Sequence, residues 1–354
     1  MKPAAPAFTT ASRVAARWRH AEFIDFWGRH VSRSYSWDRI LARVEAVQPA
    51  SASASTLVLK ANRNWRAGLP GQHVDLTVEI DGVRHTRCYS LSALPNGRRL
   101  QLTVAAVPGG LVSSQLRSQL RPGDVVELSA AYGELTLPAT LTRPWLLLAG
   151  GSGITPLMAL LDAMAERGMP VPVTLGYWAA RREDCCFDAR LDALAARFPR
   201  FRVLRIATRG AEAGGRLSAD WLAREAPAPL TACTVQAAGP VGFLIGARAL
   251  CASAAEFRAE PLPPVLGTSS ESVQVTLARS GQQIEVPRGQ PLLPALEAAG
   301  LKPAYGCRRG ICNTCVCTRL AGASHDLRDG SGGAGPAAVR LCVHAADSNL
   351  TLEM

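Results

Sequence analysis

Near its C-terminus the chain reads "YGCRRGICNTCVC" (305–317), which places Cys307, Cys312, Cys315 and Cys317 within eleven positions; Cys342 follows. Thiols at that density cross-link as disulfides, hold zinc, or hold an iron–sulfur cluster. Ten cysteines in 354 residues do not make the dense scaffold of a small secreted domain. The N-terminus, "MKPAAPAFTTASRVAARWRH", lacks the continuous apolar stretch of a secretory signal. The clustering therefore reads as metal binding, and spacing separates the metals. Zinc sites usually present paired C-x2-4-C knuckles. Here one C-x2-C pair stands beside a C-x4-C and a distant fourth cysteine. That order, Cys307, Cys312, Cys315 and then Cys342, suits a [2Fe–2S] cluster, with zinc as the alternative. Gly306, Gly310 and Asn313 allow the backbone angles that wrapping a cluster demands. Cys317 reads as a bystander, and the five remaining cysteines read as small buried hydrophobes.

Three further stretches have the residue types for binding phosphates and a flat heterocycle. In "WLLLAGGSGITPLMAL" (145–160) an apolar strand runs through a glycine turn into a helix. Gly150, Gly151 and Gly153 would let a pyrophosphate approach the backbone, with Thr155 placed to cap the helix and Pro156 in its first turn. Pro156 stands where a G-x-G-x-x-G pattern would have its last glycine, so a plain strand-to-helix turn is the alternative. In "RHTRCYSL" (84–91) Arg87, Tyr89 and Ser90 alternate along a strand, which puts Arg87 and Tyr89 on one face and Ser90 on the other. An arginine fork suits a diphosphate, a tyrosine ring suits a flat heterocycle, and a hydroxyl can bond a ring nitrogen. In "VPGGLVSSQL" (107–116) Gly109 and Gly110 precede a helix start where Ser113 can meet a phosphate.

These elements belong to distinct units. Residues 1–38 form an N-terminal extension, partly helical, in which Phe23, Ile24 and Trp27 make an apolar stripe expected to pack on the protein itself. Residues 39–141 hold short alternating runs between turn signals, an antiparallel β-barrel pattern. Residues 142–262 alternate strands with helices, the pattern of an α/β parallel sheet. A Pro-rich stretch at 259–272 reads as a linker, with the domain boundary drawn at 263–272. Residues 273–354 open with a hairpin turning at Ser280-Gly281, then a helix, the cysteine loop and a last strand, an α+β (β-grasp) arrangement. The fold class is thus multidomain.

A net charge of +11 raises three partners: nucleic acid, an anionic membrane surface, or an acidic protein. The arginines are spread along the chain without aromatic interleaving, which argues against nucleic acid. No apolar run approaches the roughly 18 residues of a membrane span. The expected location is cytoplasmic, with peripheral membrane attachment left open.

Taken in order, "RCYS", "GGLVS", "GGSGITP", the late "AGP" and the cysteine loop resemble the ferredoxin–NADP⁺ reductase superfamily. More narrowly, they are similar to its three-domain flavin oxidoreductases with a C-terminal plant-type ferredoxin, over about 40–354. The N-terminal "FWGRHVSRSYSWDRILARV" resembles the branch that serves acyl-CoA desaturases. The resemblance implies that Arg87 binds the flavin diphosphate, Tyr89 packs on the flavin, and Ser90 approaches its N5. It assigns Gly110 and Ser113 to flavin phosphate, and Gly151, Gly153, Thr155 and Pro156 to the nicotinamide nucleotide. Gly239 and Pro240 would lie at the nicotinamide, where many relatives have Cys-Gly-Pro and this chain has Ala238-Gly239-Pro240. Cys307, Cys312, Cys315 and Cys342 would hold the cluster. No side chain is assigned as a catalytic acid or base.

The implied cofactors are FAD rather than FMN, a [2Fe–2S] cluster, and NADPH or NADH as donor. Arg181, at the end of the second α/β strand, favours NADPH because an arginine there can meet a 2′-phosphate. The implied partner is a terminal iron-containing oxygenase or desaturase, a membrane fatty-acyl desaturase first and a Rieske dioxygenase or monooxygenase second. Two readings of other kinds remain at this point: a non-catalytic zinc-containing binding protein on a reductase fold, and an oxidase or quinone reductase without a protein partner. If the cluster relays electrons, Cys312→Ser should abolish reduction of one-electron protein acceptors while flavin reduction by nicotinamide continues. Equal loss of both, measured by stopped-flow and acceptor assays, would make the cluster structural.

Overall fold

The computed structural model describes residues 25–28, 30, 32–107, 110–210, 214–261, 271–306, 308, 310, 313–328 and 330–354. Phe23, Ile24, Gly109, Cys307 and Cys312 lie outside the described residues.

The first sheet is built from β1 (Ile40–Ser51), β2 (Ala54–Ala61), β3 (His73–Ile80), β4 (Val83–Ser90), β5 (Arg99–Ala105) and β6 (Val125–Leu128), with α1 (Leu111–Ser118) between the last two. Its order is β4-β3-β6-β1-β2-β5, antiparallel throughout. A bridge between Leu91 and Leu102 draws its two edges together into a barrel. Alternate side chains of these strands, Leu57, Leu59, Leu76, Leu100 and Leu102, fill the interior with Leu116 of α1. One turn sets the register that matters for the site. Asp81 and Gly82 both have positive φ, 50° and 74°, so they form the two-residue hairpin loop whose twist matches the flanking strands. That turn pairs Leu76 with Arg87, Val74 with Tyr89 and His73 with Ser90. A slip of one residue would send each of them to the opposite face.

The second sheet holds β7 (Trp145–Gly150), β8 (Val173–Ala179), β9 (Phe201–Ala207), β10 (Thr234–Gly239) and β11 (Glu256–Pro261) in the order β11-β10-β7-β8-β9. All pairings are parallel. The crossovers carry α2 (Ile154–Glu166), α3 (Asp188–Arg197), α4 (Ala219–Glu225) and α5 (Val241–Leu250). Strand order reverses direction between β7 and β10, the point at which open α/β sheets leave a crevice beyond their carboxyl ends. Strand β11 corrects the sequence reading: Ala259–Pro261 belong to this strand rather than to the Pro-rich linker. Prolines downstream mask a strand that is secured by pairing with β10.

The third unit contains β12 (Ser272–Leu277), β13 (Gln283–Pro287), α6 (Leu292–Ala298), β14 (Val316–Ala321), β15 (Ala323–Asp326), β16 (Gly332–Ala334), β17 (Ala337–Arg340), β18 (His344–Ala346) and β19 (Leu350–Leu352). A mixed sheet, β13-β12-β19-β14-β17, stands beside a small sheet, β16-β15-β18. Leu292, Leu293 and Leu296 of α6 pack into a core shared with Val275, Val286 and Leu352. No helix among the described residues is long and apolar enough to cross a membrane.

The segment before β1 folds back on the barrel. Asp25 accepts hydrogen bonds from Ser36 Oγ at 2.8 Å, the Trp37 amide at 2.6 Å and Arg39 Nη2 at 3.1 Å. Asn62 and Asn64 donate to the carbonyls of Arg39 and Ser36. Trp27 departs from the expectation that it packs on its own protein: it is 57% exposed, beside Phe26 at 59%. The polar clasp at Asp25, rather than an apolar face, is what holds this segment. Burial raises the Asp25 carboxyl, but hydrogen bonds from Trp37, Ser36 and Arg39 outweigh it and leave the group below its ordinary 3.8. A carboxyl depressed in this way stabilises the fold fully above its unfolded pKa, and the benefit is lost as pH falls through the folded value. Asp25→Ala should therefore loosen the segment by about 1.5–3 kcal/mol and expose the Trp37 amide to hydrogen exchange at neutral pH. Wild-type protein should lose that protection only below pH 3.8.

Candidate functional site

The barrel contributes one wall. Arg87 lies on β4 with its Nη1 donating to the Thr86 carbonyl at 2.8 Å. Burial, and then the positive charge of Arg308, pull its guanidinium below the usual arginine range. A half-buried cation with a second cation nearby calls for an anion, so the position fits a diphosphate. Tyr89 packs against the barrel core, and burial pushes its phenol above the ordinary tyrosine value, keeping it neutral. Gly110 is the N-cap of α1, which has no side-chain cap. A Cβ at Gly110 would lie 2.6 Å from Ser113 Oγ and 2.9 Å from Val107 Cβ, so glycine leaves this cradle open without moving either. Ser113 Oγ donates to the Gly110 carbonyl at 3.1 Å and accepts from the Val107 amide at 3.4 Å. The hydroxyl therefore shapes the loop, and what α1 offers a phosphate is its uncapped backbone N–H groups.

The parallel sheet contributes the second wall. Gly151 opens a single 3-10 turn with φ 56° and leads through Gly153 into α2. Thr155 does not cap the helix as expected. The helix begins at Ile154, and Thr155 Oγ1 donates back to the Ser152 carbonyl at 2.9 Å. The intervening 3-10 turn displaces the helix start by two residues, and Pro156 is buried in the first turn. Gly153 meets the end of β10 so closely that a Cβ there would lie 2.0 Å from the Ala238 carbonyl oxygen. The two turns, 150–153 and 238–240, thus touch at the switch point between β7 and β10. Ala238 is buried, and Gly239 and Pro240 lead into α5. Arg181 stands apart, 70% exposed, with Nη1 3.7 Å from Glu183 Oε1.

Between these walls lies a group that sequence reasoning missed. Glu260, 6% exposed near the end of β11, accepts a hydrogen bond from Ser90 Oγ at 3.3 Å. Its carboxylate also lies 3.6 Å from His73 Nδ1. His73 sits edge-on to Tyr132, ring centroids 4.2 Å apart, and Tyr132 OH donates to Asp75 Oδ1 at 2.7 Å. Alternation of charge in "EFRAEP" was the available signal, since Glu256, Arg258 and Glu260 share one strand face. Ser90 and Glu260 are 170 positions apart, and nothing local joins them.

The cysteine loop is described in part. Cys315 and Cys342 are buried, with their sulfurs 3.2 Å apart. The hydrogen bond shared with Cys342 holds the Cys315 thiol below the usual cysteine range, which suits the thiolate that iron requires. Arg308 and Asn313 have φ of 57° and 59°, left-handed angles that side chains rarely adopt. Arg328 Nη1 and Arg340 Nε pin the loop through the Gly310 carbonyl and Asn313 Oδ1, at 2.9 and 2.6 Å. Cys317 instead donates to the Thr318 and Glu353 carbonyls, and burial raises its thiol, consistent with a bystander. The loop also faces the barrel. Arg308, bonded to Glu297 and stacked 3.8 Å over the Tyr305 ring, is the cation that acts on Arg87.

Comparison with known proteins decides the family. The Oxidoreductase FAD-binding domain family matches residues 42–137, the Oxidoreductase NAD-binding domain 147–248, and the 2Fe-2S iron-sulfur cluster binding domain 275–346. An NADPH oxidoreductase of Mycobacterium tuberculosis is 30% identical over 362 residues, covering 99% of this chain and 93% of that protein. The chain belongs to the ferredoxin–NADP⁺ reductase superfamily. It is an NAD(P)H-dependent flavoprotein oxidoreductase, with FAD and a [2Fe–2S] cluster as cofactors. The zinc alternative is set aside by the 2Fe-2S match. The ferredoxin reductase component of a 3-ketosteroid-9-alpha-monooxygenase, also from M. tuberculosis, is 34% identical over 276 residues, covering 72% of this reductase and 75% of that protein. Phthalate dioxygenase reductase shares the fold, with a TM-score of 0.64 at 20% identity, over 89% of this chain and 98% of that one.

The contact at Gly153 yields a direct test. Because the obstructing atom is backbone rather than a side chain, Gly153→Ala should destabilise the nucleotide unit of the reductase by about 1–3 kcal/mol. A thermal melt should show the loss, and an unchanged melting temperature would contradict the close approach.

Proposed function

We propose that this reductase draws electrons from NADPH and delivers them through its [2Fe–2S] domain to a separate iron-containing oxygenase. The observation that carries the reading is the order of FAD-binding, NAD-binding and 2Fe-2S domains along one chain, with the charge of Arg308 felt at Arg87 on the flavin strand. The chemistry the bound groups supply is conversion of a two-electron hydride donor into single-electron deliveries. The chain's own residues then serve to position. Arg87 and the α1 N-terminus hold the flavin phosphates, and Tyr89 supports its ring system. Ser90, oriented by Glu260, faces the reacting edge. Gly151, Gly153, Thr155 and Pro156 shape the floor on which the nicotinamide nucleotide lies. Gly239 and Pro240 bound its far side, and Ala238 leaves that wall without a thiol. Arg181 is exposed enough to reach a 2′-phosphate. Cys307, Cys312, Cys315 and Cys342 hold the cluster, and no side chain is required as an acid or base.

The oxygenase acceptor is supported by the monooxygenase reductase component among the relatives, and the NADPH donor by the NADPH oxidoreductase. A membrane fatty-acyl desaturase is the more specific acceptor we favour. It is supported by Phe26 and Trp27, whose exposed rings on the N-terminal segment suit a partner at a bilayer surface. Assays with desaturase-bearing membranes and with soluble oxygenase components separate the two acceptors.

An absorption spectrum of the purified protein, before and after anaerobic NADPH or NADH, tests the scheme. Flavin bands over broad iron–sulfur absorption should bleach, and bleach faster with NADPH. Faster bleaching by NADH would remove Arg181 from the assignment, and a protein that takes up neither flavin nor iron would overturn the electron path.

A further inference from the structure

The barrel carries a second cavity, away from the cofactor walls. It encloses about 710 Å³ where the N-terminal segment folds over the barrel end, and Arg33, Arg43, Lys60, Arg63 and Arg98 line it with no acidic side chain among the lining residues. Charge pairing elsewhere makes this unusual. Arg39, Arg84 and Arg99, on the same barrel, pair with Asp25, Glu127 and Glu45. The five cavity cations have no acidic partner among the described residues. Two of them are also opposed directly. Arg43 and Lys60 are cross-strand partners on β1 and β2, so their side chains rise from the same face, and like charges in that relation destabilise a sheet. Arg98 arrives beside them because its carbonyl accepts the Ala61 amide at 2.8 Å. Arg63 is held in place, its Nη2 bonded to Tyr35 OH at 3.2 Å and its guanidinium 5.1 Å from the Tyr35 ring centroid.

This cavity is not part of the flavin or nucleotide site. Strand β5 starts beside it, with Arg99 opposite Lys60, and ends with Ala105 opposite Ala54, next to the loop that leads to α1. The strand rise puts about 20 Å between the two ends. We propose that the cavity is a binding site for phosphoryl groups. Guanidinium forks match phosphate oxygens in pairs, and a phosphate placed between Arg43 and Lys60 converts their repulsion into attraction. The volume exceeds one phosphate and suits a polyphosphate or a phosphorylated molecule of nucleotide size. A phospholipid headgroup offers the same chemistry, and Trp37, exposed and 5.8 Å from the Arg63 guanidinium, stands on the rim where acyl chains would begin.

The test uses the holoenzyme with FAD bound and NADP⁺ saturating, so that the cofactor sites are filled. Titration with inorganic pyrophosphate is followed by calorimetry. Sedimentation with phosphatidylglycerol–phosphatidylcholine vesicles is compared with phosphatidylcholine alone. The variant is Arg63→Gln with Arg98→Gln, neither of them in the electron path, and Arg200→Gln with Arg202→Gln, at the start of β9, is the charge-matched control. Saturable pyrophosphate binding that the double variant weakens at least about tenfold, with the control unchanged, establishes a soluble phosphorylated ligand. Vesicle binding that requires the anionic lipid and is lost in the double variant, without pyrophosphate binding, establishes a lipid headgroup as the source. Binding of neither probe, equal loss in the control, or affinity for an acidic protein alone overturns the proposal. Reduction by NADPH should be the same in all variants, which separates this outcome from failure of the electron path.

Discussion

A carboxylate in a dry place constrains the rest of this molecule. Glu260 is nearly excluded from solvent, and burying a charged or polar group without partners costs several kcal/mol. Two partners come from the other domain: Ser90 donates to it, and His73 stands beside it. The contact of Ser90 and His73 with this carboxylate ties the parallel sheet to the barrel. Further bonds across the seam act in the same sense. Ser53 donates to Asp184 at 2.7 Å, Arg190 reaches the Ser92 carbonyl at 3.3 Å, and Arg258 reaches the Thr136 carbonyl at 3.2 Å. Together they keep the crevice beyond β7 and β10 aligned with the strand that carries Arg87, Tyr89 and Ser90.

Each domain has its own hydrophobic core, and the chemistry lies where the cores end. The interiors built around Leu57 and Leu102, around Leu147 and Leu157, and around Leu293 and Leu352 are separate clusters, although the second also takes in Ala54 at the barrel's edge. Between them are glycine turns and arginines, groups that a phosphate site needs, while Cys315 and Cys342 belong to the third core itself. Preorganisation follows from this division. Close packing holds the strands, and the strand ends hold backbone N–H groups and a few polar side chains at fixed positions without further ordering on binding.

The distribution of positive charge separates two kinds of arginine. Some are structural, as Arg328 is in pinning the cysteine loop while bonded to Asp326. Others stand without an acidic neighbour, and their electrostatic cost is offset only when an anion arrives. The cations at the barrel end are of the second kind among the described residues, and Arg87 at the flavin strand feels Glu297 together with the opposing charge of Arg308. That distinction turns a bulk charge of +11 into particular sites.

What the sequence determined by itself was local. The spacing of Cys307, Cys312, Cys315 and Cys342 points to a metal site because three thiols fall within one short loop. The Asp-Gly hairpin can be read because two successive positive φ angles restrict the residues allowed there. The glycine turn after β7 is legible for the same stereochemical reason. The tertiary structure decided everything that depends on chain segments meeting. Glu260 was hidden in a stretch that reads as linker, and its hydrogen bond comes from a hydroxyl 170 positions away. The helix start at Ile154 was settled by a 3-10 turn wedged against β10, not by a capping residue. Trp27 followed a helical pattern yet stayed exposed, because a polar clasp at Asp25 holds that segment. Backbone stereochemistry acts over a few residues and leaves a mark in the sequence there. Burial and charge pairing act between segments, and become definite only when the fold brings those segments together.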